Sequence, residues 1–123
     1  MSKGQTLNPQ RLDEIRAIQR PGGTAELLER LIRLFDEESA VLLLQLEDAI
    51  ERCQAEEVRA AAHKFKSVSG NVGAEALSAW CYELEQKGRE GRLDGSEEIL
   101  EEIRNEHDRA SAALTSELNR QPD

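Results

Sequence analysis

Apolar residues recur along this chain every three or four positions, and the rhythm breaks only at a few clusters of proline and glycine. Leu28, Leu31, Ile32 and Phe35 form one such stripe, and Leu42, Leu46, Ala49, Ile50 and Cys53 form another. Val58, Ala61, Ala62, Phe65 and Val68 follow, then Leu77, Trp80, Cys81 and Leu84, and finally Ile99, Ile103, Ala110 and Leu114. Spacing of this kind buries one face of a helix and leaves the opposite face to water.

The breaks divide the chain into six helical segments. Asn8 ahead of Pro9 starts a short first helix through Leu12, Ile15 and Ile18, which Pro21-Gly22-Gly23 ends. Thr24 caps a second, and a third begins near Glu38 or Ser39. A fourth runs from about Ala55 to Ser69 and stops near Gly70 and Gly73, and a fifth runs from Ala74 to about Gly88. Gly88, Gly91 and Gly95 mark a connection, and Ser96 with Glu97 and Glu98 opens a last helix to about Leu118. The expected fold is all-α: an antiparallel four-helix bundle with a short additional N-terminal helix packed across it. One domain fills residues 1–123, with frayed ends near 1–7 and 119–123.

Composition narrows the function. Sixteen Lys and Arg against 25 Asp and Glu give a net charge of −9, which repels phosphate backbones and anionic lipid and argues against a nucleic-acid partner. The longest apolar run, Ala40 to Leu44, is far shorter than the ~20 residues of a membrane span, and Met1 to Asn8 lacks the apolar run of a signal peptide. A cytoplasmic location is expected. Cys53 and Cys81 form no C-x-x-C pair and both fall on apolar stripes, so they are expected to be buried thiols.

The two histidines differ in their surroundings. His107 projects beside Ile103, Ala110 and Leu114, as a core-edge histidine with a hydrogen-bond partner would. His63 points roughly 160° away from the apolar side of its helix. Arg59, Lys66, Ser67 and Gly70 share its polar face, and the stretch from Arg59 to Lys66 holds three cations, Lys64 among them, and no acid. That is a local anion site on an acidic molecule. A neutral imidazole is a fair nucleophile near neutral pH, and Ser67 and Gly70 leave a low rim over which a macromolecule could approach it.

Other chemistries lack their parts. The neighbours one turn from His63 are Arg59, Ala60, Lys66 and Ser67, so no acid at helical spacing orients it as in a hydrolase triad. Ala60 and Arg104 stand where a Glu-x-x-His di-iron motif needs glutamate, and H-E-x-x-H, P-loop and dinucleotide-binding motifs are missing from the sequence.

The segment Ala62-His63-Lys64-Phe65-Lys66-Ser67-Val68-Ser69-Gly70-Asn71-Val72-Gly73-Ala74 resembles the signature of histidine-containing phosphotransfer (HPt) domains of bacterial phosphorelays. The similarity continues through Leu77, Cys81, Leu84 and Glu85, and departs at Ser67, where the family usually has glycine. The resemblance implies that His63 accepts the phosphoryl group, that Lys66 stabilises it, and that Ser67 and Gly70 give clearance, with Arg59 and Lys64 on the docking face. It implies as partners the receiver domains of response regulators and of hybrid sensor kinases, whose aspartate and Mg²⁺ complete the chemistry. The chain itself would then be a monomeric carrier rather than an enzyme, with no cofactor or metal of its own.

A competing class is a helical adaptor that binds a protein through an apolar groove. Val41, Leu43 and Leu44 widen one stripe beyond a single face, though burial of that helix on two sides within the bundle is the favoured account of them.

Overall fold

The computed structural model describes residues 4–18 and 24–120, without the side chains of 15–18, 24 and 25. Five helices account for them: α1 (Pro9–Ile18), α2 (Thr24–Glu51), α3 (Ala55–Asn71), α4 (Glu75–Glu90) and α5 (Ser96–Asn119). The Pro21-Gly22-Gly23 break, the capping side chain of Thr24, the inward positions of Ile15 and Ile18, and the outermost residues of both frayed ends lie outside the described residues.

The two helices expected between Thr24 and Cys53 are one, because the buried positions Leu28, Ile32, Phe35, Ser39, Leu42, Leu46 and Ala49 follow alternating steps of four and three without a gap. Asp36-Glu37-Glu38-Ser39 reads like a helix start. Ser39, however, is fully buried in the stripe and takes the place of an apolar residue. Leu46, Phe65, Leu84, Ile103 and Leu114 from four different helices meet in one core, each such side chain contributing ~1.5–3 kcal/mol of burial.

Short connections reverse the chain each time, so α2 packs on α3, α3 on α4, α4 on α5, and α5 closes the ring on α2. This is the expected antiparallel four-helix bundle. α1 is fastened at the end of the bundle rather than along it. The Asn8 amide donates to the Gly73 carbonyl at 2.6 Å, Arg11 Nε donates to the Asn71 carbonyl at 2.7 Å, and Leu7 and Leu12 pack against the core.

The turns correct one further expectation. α2 stops at Glu51, and the amides of Cys53 and Gln54 close onto the carbonyls of Ile50 and Ala49. Cys53 therefore takes a left-handed φ of 55° and faces solvent instead of extending the stripe, while Cys81 is buried as expected. α3 ends at Asn71, between Gly70 and Gly73 as expected, and α4 runs two residues past Gly88 to Glu90. The stop after α4 is Gly91, whose φ of 72° gives a left-handed cap that a side chain would strain. No described helix is long and apolar enough to cross a membrane.

Candidate functional site

α3 and α4 run antiparallel with a register that sets His63 against Glu85 and Lys66 against Tyr82. Val58, Ala61, Ala62, Phe65 and Val68 pin the inner face of α3 into the core, which leaves His63 on the outer face with its side chain 57% exposed. Leu77, Cys81 and Leu84 pin α4 in the same way. Glu85 follows on that inner side, and its carboxylate lies buried at the foot of the imidazole.

Two cations and the imidazole converge on this carboxylate. His63 Nδ1 lies 2.9 Å from Glu85 Oε2, Lys66 Nζ lies 2.8 Å from Oε1, and the Arg89 guanidinium donates to Oε2 at 3.1 Å. Burial by itself would push the Glu85 carboxyl up, but hydrogen bonds from Lys66 and His63 outweigh it and hold the group below the ordinary carboxylate range. An ionised carboxylate accepts hydrogen bonds only, so Nδ1 carries a proton, and in the neutral ring the lone pair is on Nε2. Sequence spacing found no acid near His63 because it looked along one helix, and the acid comes from 22 residues further on. One signal was available: Glu85 occupies an inward helical position beside Leu84 and four after Cys81, where an unpaired charge would be costly.

The remaining site residues occupy distinct places. Lys66 is partly exposed, with its Nζ also 5.2 Å from the centre of the exposed Tyr82 ring. Ser67 and Gly70 are exposed on the His63 face, and a Cβ added at Gly70 would meet nothing within 4 Å. Arg59 binds Glu56 through both Nε and Nη2, so its charge is largely met within its own helix. Lys64 stands on the opposite flank of His63, beside Leu42 and Gln45 of α2. Arg89, which the sequence reading did not single out, joins the cationic rim from α4. Lys66, Gly70, Ser78, Ala79 and Tyr82 form one wall of an open groove of about 1000 Å³, and Asn8 and Arg11 of the N-terminal segment form the other.

His107 is the core-edge histidine expected. Its ring stacks on Phe35 with centroids 5.1 Å apart, and Nε2 lies 3.3 Å from Asp36 Oδ1. Val41 and Leu44 are exposed on α2 and Leu43 is half-buried, so burial on two sides explains only Leu43. Among the described residues no group of three or more His, Cys, Asp or Glu side chains is placed to hold a metal ion.

Two comparisons place the chain among known proteins. The family model for the Hpt domain matches residues 30–113, which include α3, α4 and most of α2 and α5. The crystal structure of histidine-containing phosphotransfer protein B from Pseudomonas aeruginosa PAO1 superposes with a TM-score of 0.79 at 25% identity, covering 97% of this chain and 99% of that one. No curated protein sequence matches significantly. The family match spans well over half of the 123 residues and contains the whole His63, Lys66 and Glu85 constellation. The chain belongs to the Hpt domain family, the histidine phosphotransfer carriers that exchange phosphate with receiver domains in two-component phosphorelays.

Proposed function

We propose that His63 is the phosphoryl acceptor of this chain and that transfer runs through its Nε2 atom. The observation that carries this is the hydrogen bond from Nδ1 to the buried Glu85 carboxylate, made by a ring that otherwise stands open to solvent. The Nε2 lone pair attacks the phosphorus of an aspartyl phosphate on the receiver, a P–N bond forms, and the P–O bond breaks to release the aspartate carboxylate. No proton needs to be removed from Nε2. The ring becomes a phosphoimidazolium, whose positive charge Glu85 stabilises through Nδ1–H. The reverse step passes the group to a second receiver.

Lys66 and Arg89 both rest on Glu85 beside the imidazole, and their charges would stabilise the phosphoryl oxygens on His63. The receiver brings the aspartate and a Mg²⁺ ion, which shields the charge of the transferring group. Docking is over the face of Ser67 and Gly70, flanked by Lys64 on one side and Arg59 on the other. Incubation with a phosphorylated receiver domain labels this chain with a bond that is lost in acid and survives alkali. Label that survives acid would move the acceptor to a hydroxyl such as Ser67 and overturn the reading.

A further inference from the structure

We infer that Gly88 is a positioning residue for His63: by letting α3 and α4 approach closely one turn from the site, it holds the Nδ1 to Glu85 hydrogen bond. The inference rests on the phosphotransfer reading only for its consequence, since the hydrogen bond can be observed without any transfer.

Gly88 is buried within α4, and its φ is not among the left-handed ones, so backbone conformation does not call for glycine there. Helix propensity argues against it too, because glycine is among the poorest helix formers. Space accounts for it. A Cβ at this position would lie 2.7 Å from the Ala55 carbonyl oxygen, 2.7 Å from the Arg59 amide nitrogen and 2.9 Å from the Arg59 Cα. All three atoms are backbone, so no side-chain rotation relieves the overlap. The helices themselves would have to separate.

The place of the contact links it to the site. Arg59 lies one turn before His63 on α3, and Gly88 lies one turn after Glu85 on the antiparallel α4. A separation forced at Gly88 is therefore transmitted directly to the 2.9 Å His63–Glu85 pair, which has little slack before it ceases to be a hydrogen bond. Lys66 is further from the contact, and its longer, flexible arm tolerates a shift that the short imidazole does not.

The test is Gly88→Ala, with the proton on His63 read by long-range ¹H–¹⁵N correlation at a pH where the ring is neutral. In the parent, Nδ1 carries the proton. In the variant, the proton is expected to move largely to Nε2, and transfer from a phosphorylated receiver to fall on the order of ten- to a hundredfold, as for small misplacements of reacting groups. Trimethylamine N-oxide, added to parent and variant alike, keeps the folded population high enough to read. If folded Gly88→Ala keeps the proton on Nδ1, the inference is wrong. If the variant fails to fold even with the osmolyte, Gly88 serves packing of the bundle as a whole and the inference is also wrong. A shift of tautomer in a chain whose parent accepts no phosphate would uphold the role of Gly88 and overturn the phosphotransfer reading instead.

Discussion

His63 Nδ1 and Glu85 Oε2 lie 2.9 Å apart, and the two side chains sit on opposite sides of the solvent boundary: the imidazole is 57% exposed and the carboxylate 2%. The acid is thus a fixed base plate, and the ring is the part exposed to solvent. Because Glu85 also binds Lys66 and Arg89, one buried charge orients the proposed nucleophile and holds both cations that a phosphoryl group there would attract.

Glu85→Gln keeps the shape of this plate and removes its charge. Transfer to His63 should fall about ten- to a hundredfold, the scale of loss when the hydrogen-bond partner of a metal-bound histidine is removed. The fold should remain intact, since the neutral amide costs less to bury than a carboxylate. Single-turnover labelling and circular dichroism together check this, and unchanged labelling would make Glu85 a purely structural acid.

Lys66→Ala and Gly70→Leu should fail in different ways. Lys66→Ala removes a cation one turn from His63 without adding bulk, so receiver affinity should persist while the transfer rate falls. Gly70→Leu places a branched side chain into open space on the docking face, which leaves the fold unchanged and weakens receiver binding itself. Titration with a receiver and single-turnover labelling separate the two effects.

Stability should fall on acidification partly through Glu85. Its folded carboxyl is held below the ordinary range by Lys66 and His63 despite burial, so the unfolded chain binds this proton more readily than the folded one. The contribution is fully present above the unfolded value of about 4.3 and is lost as the pH drops through the lower folded value. Thermal melts across that window should show the parent losing more stability than Glu85→Gln, and parallel losses would contradict the assignment.

The thiols should react as their burial dictates. Cys53 is exposed and should titrate with a thiol reagent in the native chain, whereas Cys81 is buried, and burial pushes its thiol up to about 12 even though a Ser69 hydrogen bond opposes it. Native protein should release one equivalent and denatured protein two. Two equivalents from the native chain would mean that α4 opens readily around Cys81.

Most of the bundle was legible in the sequence because a helix repeats locally. The stripes on α3, α4 and α5 predicted their inner faces, and His63, Lys66, Ser67 and Gly70 share one outer face as their spacing required. Local pattern misled where a tertiary demand overrode it. Ser39 reads as a cap, yet the heptad runs through it, and Cys53 continues a stripe on paper that the chain leaves by turning at residue 52. Glu85 and Arg89 could not be placed beside His63 from spacing alone, because the contact depends on the register of α4 against α3. That register is set by packing across helices, to which Gly88 contributes through the absence of a side chain.

Labelling of the parent, His63→Gln and His107→Gln by one phosphorylated receiver domain tests the central claim most directly. The account predicts acid-labile label on the parent and on His107→Gln and none on His63→Gln, with the folded stability of His63→Gln within about 1 kcal/mol of the parent, as for loss of one partly exposed hydrogen bond. Label retained by folded His63→Gln, or lost from folded His107→Gln, would contradict it.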